Sequence, residues 1–293
     1  MLIEFFGLPG SGKSTMSRLV AKLLLRRGLI VDEITFDLDH RRRRFDKLLA
    51  KLARLVRYAF AHPCHALADL IRITATRQAT LVDLGKVAFN WFFIASLASR
   101  KRSPSRITVL DQGVAQAMWS IGFAARNEKS FDRLLADMPG AALRPDLIIH
   151  VRTDFATIGD RLAARQRQQS RLDAFGRDHQ ALARAEANCD AIIGKLTSSG
   201  TPVIEVENRD PGQLVADARL IAGAILTVVN EQRSAAGGWL RHDIPRPETR
   251  EALRTDRTLS GSTLPLSRHI AISGARGDVM TTKLGKRHDR SRP

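Results

Sequence analysis

Eight residues near the amino terminus, Gly7-Leu8-Pro9-Gly10-Ser11-Gly12-Lys13-Ser14, match the spacing G-x-x-x-x-G-K-[ST] that cradles phosphate. Gly7, Gly10 and Gly12 permit backbone torsions that aim several N–H groups at one anion. A helix that starts at Lys13 presents its positive end to the same anion. Lys13 supplies a point charge to the β- and γ-phosphates of a bound triphosphate, and the Ser14 hydroxyl is placed to ligate Mg²⁺. Gly7, Pro9, Gly10, Ser11, Gly12, Lys13, Ser14 and Thr15 are the expected nucleotide-binding residues. At ordinary residue usage, a chance match in such a chain has a probability of about 1%.

A second acid and a run of arginines extend that chemistry. Asp111 ends the apolar stretch Ile107-Thr-Val-Leu, a Walker B pattern that holds Mg²⁺ near Ser14. Asp111 is therefore an expected catalytic and metal-binding residue, whereas the bland reading is a turn or cap. Arg161, Arg165, Arg167 and Arg171 lie in DRLAARQRQQSRLD. On a mobile cover such arginines meet the charge that phosphoryl transfer spreads over the γ-phosphoryl oxygens. Arg165 and Arg167 are the expected catalytic pair, with Lys13. The competing reading is a solvated basic helix.

Residues 37–44, DLDHRRRR, follow the second strand and face the acceptor end of such a site. If the acceptor is a hydroxyl, Asp37 or Asp39 takes its proton. If it is a phosphate, Arg41 to Arg44 clamp it with paired donors. A capped, solvated helix start with Asp39 as its cap is the third reading. Gln112 joins Asp37, Asp39 and Arg41 as a substrate-binding candidate, and Arg106 and Arg152 rank below them. His150 reads as a satisfied core histidine. His62, Cys64 and His65 lack the spacing of a zinc site.

These residues need a parallel sheet to carry them. Strands are expected at 2–6, 29–37, 107–111, 145–152 and 202–207, and helices at 13–27, 113–136, 155–168, 180–199 and 212–230. The alternation describes a doubly wound α/β domain over residues 1–230. Residues 40–103 form a helical insert that Pro63 interrupts. Within it, 81–99 is apolar and about 28 Å long, near bilayer thickness. Asp83, Lys86 and Asn90 favour burial of that helix over spanning. Residues 231–293 read as a basic, mostly disordered tail, with a short helix near 247–254 as an option.

The chain has 293 residues, of which 44% are hydrophobic and 26% charged, an ordinary globular composition. Cys64 and Cys189 are too few for a disulfide scaffold and read as small core residues in a reducing compartment, so a cytoplasmic protein is expected. The first residues lack the basic start of a signal peptide. The formal charge of +17 suits an anionic partner: nucleotide, nucleic acid or membrane surface. It also suits a generally arginine-rich chain. No specific nucleic acid is expected, because one Tyr and three Trp make a poor stacking surface. Peripheral membrane contact is the less favoured option, and a homodimer is compatible with the pattern.

With these motifs in place, the chain resembles the P-loop nucleoside and nucleotide kinases, most nearly the thymidylate kinase-like group. The likeness runs from the loop at Gly7 through Asp111, the PDLIIHVR strand at 145–152 and the Arg-rich stretch 161–171, to about residue 229. It implies a three-layer fold with a five-stranded parallel sheet in the order 2-3-1-4-5. It also implies an arginine-bearing lid at about 155–178 that closes over ATP, and a final helix beside the nucleotide. The activity implied is Mg²⁺-dependent phosphoryl transfer from ATP to a small acceptor, a nucleotide or nucleoside. Thymidylate kinases carry an acid where this chain has Pro9, and Asp-Arg where it has Asp111-Gln112-Gly113. The alternative is an ATP-binding regulatory or interaction protein on a kinase fold, with insert and tail engaging a partner or membrane.

Overall fold

In the computed structural model the described residues are 1–35, 44–100, 106–137, 140–164, 172, 178–208, 210–235, 271–273 and 280–281. Five parallel strands form the sheet: β1 (Leu2–Phe6), β2 (Ile30–Asp32), β3 (Arg106–Leu110), β4 (Leu147–Arg152) and β5 (Val203–Glu207). Their spatial order is 2-3-1-4-5, as the resemblance implies. β1 lies in the middle, pairing Ile3 with Val109 on one side and with Leu147 on the other. Two short antiparallel strands, β6 (Ala271–Ser273) and β7 (Met280–Thr281), continue the sheet beyond β5. These two strands are the described part of the tail beyond residue 235. The rest of it, from 236 on, lies outside the described residues, as does the option of a helix near 247–254.

The alternation of β1 builds the layers. Ile3 and Phe5 face one side, where α1 (Lys13–Arg26) and α9 (Leu214–Ala235) pack through Met16, Val20, Leu24, Ile221 and Ile225. Leu2 and Phe6 face the other. There the core is built by α4 (Leu81–Ala98), α5 (Val114–Phe123) and α8 (His179–Ser198), with Trp91, Met118 and Ile192 each 1% exposed or less. This three-layer arrangement is the one expected.

The insert forms three helices: α2 (Arg44–Ala61), α3 (Pro63–Ala75) and α4. Pro63 occupies the first position of α3, where its missing N–H costs nothing. Thr80 caps α4, accepting the Asp83 N–H at 3.0 Å and donating to the Asp83 carboxylate at 2.8 Å. Trp91 of α4 donates to the buried Asp69 of α3 at 2.9 Å, which fixes the two helices to each other. The second half of α4 is enclosed in the core, as expected for the apolar run, whereas Leu81 and Val82 at its start are exposed.

Three expectations are corrected. The strand at 29–37 shortens to three residues, because β2 is an edge with only β3 to pair it. The helix expected at 113–136 divides into α5 and α6 (Glu128–Asp137). Between them Asn127 accepts the Ser130 N–H, and Arg126 and Asn127 donate to the Thr76 carbonyl. Cys64 is exposed on the first turn of α3, unlike the buried Cys189.

Glu4 is the polar exception inside the sheet. Its side chain accepts the N–H groups of Ala115 and Gln116 at 3.1 and 3.0 Å, so it satisfies two of the open donors at the start of α5. Burial pushes its carboxyl up to about 7 against the opposing pull of those N–H groups. The folded state thus holds the proton more tightly than the unfolded chain, whose value is near 4.5. This group's contribution to stability is fully present below that value and is lost as pH rises through about 7. Urea titrations of Glu4→Gln should show a flatter dependence of stability on pH across that window than the parent chain. A parent whose stability rises there, or a variant with an unchanged slope, contradicts the assignment.

Candidate phosphate-binding site

Every parallel strand ends at the same edge, so the residues after β1, β3, β4 and β5 meet there: Gly7, Asp111, Thr153 and Asn208. After β1 the chain passes so close to β4 that a Cβ on Gly7 would collide with the Val151 carbonyl. Ser11 N–H then donates to the Leu8 carbonyl at 3.0 Å, closing the turn. Gly12 starts α1 at φ +88°, a left-handed conformation that a side chain resists. A Cβ there would also strike the Asn208 amide.

Asn208 and Thr153 fix the direction of the loop. The Asn208 amide donates to the Ser11 carbonyl at 2.7 Å, and the Thr153 hydroxyl lies 3.1 Å from that carbonyl. Because the peptide is planar and trans, a Ser11 carbonyl held toward these side chains sends the Gly12 N–H the opposite way. α1 has no side-chain cap and no acid in its first turn, so its leading N–H groups and positive end remain open to an anion.

A cavity of about 350 Å³ opens on this arrangement. Gly10 and residues 12–15 of the loop line it, with Arg161, Asn208 and Leu214. Lys13 is nearly buried, and its ammonium reaches back to the Leu8 carbonyl at 3.3 Å. Arg161 comes from α7 (Phe155–Ala163) and donates to the Gly10 carbonyl at 3.1 Å. Asp154 caps that helix by accepting the Thr157 N–H, and the bond holds its carboxyl below the usual carboxylate range. Two cations and an uncapped helix start therefore converge on one space. Two buried oxygens at the same place, Ser11 Oγ and Asn208 Oδ1, have no hydrogen-bond partner.

A triphosphate fits these residues: the glycine torsions, the open N–H groups and the paired cations all suit an anionic ligand. Magnesium fits less completely. Ser14 is exposed and Asp111 is partly exposed on the adjacent strand. Among the described residues no cluster of three or more His, Cys, Asp or Glu stands ready for a metal. A Mg²⁺ ion bound mainly by phosphates and water asks only for one or two protein oxygens, which Ser14 and Asp111 have the chemistry to supply.

Of the expected loop residues, Gly10, Gly12, Lys13, Ser14 and Thr15 line the cavity, Gly7, Pro9 and Ser11 do not, and Asp111 follows β3 at the same edge. Gln112 is exposed beyond Asp111, and neither lines the cavity. Asp37, Asp39, Arg41, Arg165 and Arg167 lie outside the described residues. Arg106 is corrected: it sits at the opposite end of the sheet, where its guanidinium bridges both Asp32 oxygens at 2.9 Å. Arg152 is engaged by Glu186 at 2.8 Å and by Asp190 at 3.7 Å, which removes it from the cleft candidates. His150 is the core histidine expected, stacked on Phe6 and 3.5 Å from Glu205.

Sequence reasoning missed Asn208 and Thr153, and ranked Arg161 below its neighbours. The available signal was positional: each polar residue directly follows a strand that ends beside the loop. Asn208→Ala should weaken ATP binding about tenfold in calorimetry, because it removes the shorter of the two hydrogen bonds that hold the Ser11 carbonyl and leaves only the Thr153 hydroxyl. Affinity equal to the parent's would show that the loop keeps its direction without this bond.

No family model matches the chain, and no curated protein matches it. Among solved structures it is similar to deoxyadenosine kinase from M. mycoides with bound dCTP, at 13% identity over 78% of this chain and 100% of that one, with a TM-score of 0.41. It is similar also to thymidylate kinase from Candida albicans, at 14% identity over 79% of this chain and 92% of that one, with a TM-score of 0.43. Overlaps of this size carry no activity across, and the chemistry of the site rests on its own geometry.

Proposed function

We propose that this chain is a P-loop small-molecule kinase that transfers the γ-phosphoryl group of ATP to a small acceptor, most nearly a nucleotide or nucleoside. The observation that carries the reading is the convergence of Lys13, Arg161 and the uncapped start of α1 on one cavity. Lys13 and the loop N–H groups bind the phosphates. Arg161, on the helix that leads into the arginine-rich stretch, is positioned beside Gly10 to meet charge on the transferring group. Arg165 and Arg167 follow it in sequence and belong to the same proposed lid, residues 155–178. Ser14 and Asp111 would hold Mg²⁺, which when bound neutralises charge on the β- and γ-phosphate oxygens. Asp37, Asp39, Arg41 and Gln112 are assigned to the acceptor: an acid for a hydroxyl, an arginine for a phosphate. The proposed unit is residues 1–230, working in the reducing cytoplasm.

The second reading, an ATP-binding interaction protein on the same fold, is favoured by the apolar surface of the insert, where Phe60 is 81% exposed. A coupled assay of ATP consumption over nucleosides, nucleoside monophosphates and sugars separates the two. The kinase reading predicts turnover that depends on one acceptor class. It also predicts that Asp111→Asn lowers kcat by about a hundredfold or more with ATP affinity within a few-fold of the parent's. Tight ATP binding without acceptor-dependent turnover would favour the interaction protein.

A further inference from the structure

The insert carries an apolar surface that its own packing does not use. α3 turns Ala66, Asp69 and Ile73 into the protein, and its opposite side presents Leu67 and Ile71, each 60% exposed. α2 buries Tyr58 and lays Leu55 and Ala59 against the core, while Leu52, Val56 and Phe60 form an exposed stripe at intervals of four residues. Leu81 and Val82 at the start of α4 are 85% and 65% exposed. Isolated exposed apolar residues are ordinary, but a run of them on three consecutive helices marks a docking surface.

The charge of this segment in sequence narrows the occupant. Residues 40–103 hold fourteen Lys and Arg against three Asp, a net +11 of the chain's +17. Exposed Arg57, Arg77 and Lys86 lie on the same helices or the turn between them. A second copy would bring +11 against +11. The chain's own tail, residues 231–293, has thirteen Lys and Arg against seven Asp and Glu and is repelled as well. An apolar face within a strongly cationic segment is complementary to an anionic bilayer, which offers acyl chains beneath negative headgroups. We infer that the α2–α3 face of the insert docks the protein peripherally on anionic lipid membranes. The helix that meets the length and hydropathy of a membrane span, α4, does not cross the bilayer in this docking, since its second half is enclosed in the core.

The inference is independent of the kinase reading and is tested on the full chain with vesicles. Flotation with phosphatidylcholine vesicles containing about 30% phosphatidylglycerol should recover the protein, and phosphatidylcholine alone should recover little. Leu67→Ser with Ile71→Ser should lower the bound fraction about tenfold, as should about 0.5 M salt, while ATP affinity stays at the parent value. Cys64 sits exposed on the same helix and Cys189 is buried, so a polarity-sensitive thiol dye reports from the face itself. Its emission should shift to the blue with the anionic vesicles. The inference is overturned if flotation fails with anionic vesicles, or if the serine variant floats as well as the parent. It is also overturned if the substitutions change the size of the particle in light scattering instead, which would make the face an interface between copies.

Discussion

One carbonyl organises the site. The Ser11 C=O is held by a side chain that follows β5 and lies within reach of another that follows β4. Its peptide partner, the Gly12 N–H, is therefore directed the other way, toward the start of α1. A free glycine-rich turn samples many directions for that N–H, and an anion would have to order it on binding. Here the ordering is done by folding, because β4, which precedes Thr153, pairs with β1, and β5, which precedes Asn208, is the next strand in the parallel sheet. Lys13, Arg161 and the open end of α1 then act on a cradle that is already shaped.

How much of this was legible in the sequence depends on the range of the interaction. The loop was legible because its chemistry is local: eight consecutive residues hold the torsions, the lysine and the hydroxyl. The order of the sheet followed from resemblance, and the layers from the alternation of strands with helices. Asn208 was not legible, since its partner is 197 residues away and its type alone says only polar turn. Arg106 was misplaced for the same reason. The strand expected at 107–111 runs from Arg106 to Leu110, so Arg106 is its first residue at the edge away from the loop, and Asp32 claims it there. β2 came out short because edge pairing supports fewer residues than an apolar pattern suggests.

The insert shows a different limit. Its apolar stripes were visible, yet a stripe does not say how much of itself the protein covers. α2 and α4 meet the core on one side, and Asp69 locks α3 through Trp91. Those contacts are enough to hold the helices, and what remains apolar faces outward. Exposure of Cys64 belongs to the same geometry: it sits on the outer side of the first turn of α3, so the expectation that both cysteines are buried fails for one of them.

The central claim is that the turn after β1 binds a triphosphate through its N–H groups and Lys13. Titration calorimetry of ATP into the parent and Lys13→Ala, both confirmed folded by circular dichroism, tests it most directly. The account predicts saturable binding to the parent and at least about a hundredfold loss in the variant, since it removes a nearly buried cation from the phosphate. Equal affinity in the two proteins would contradict it.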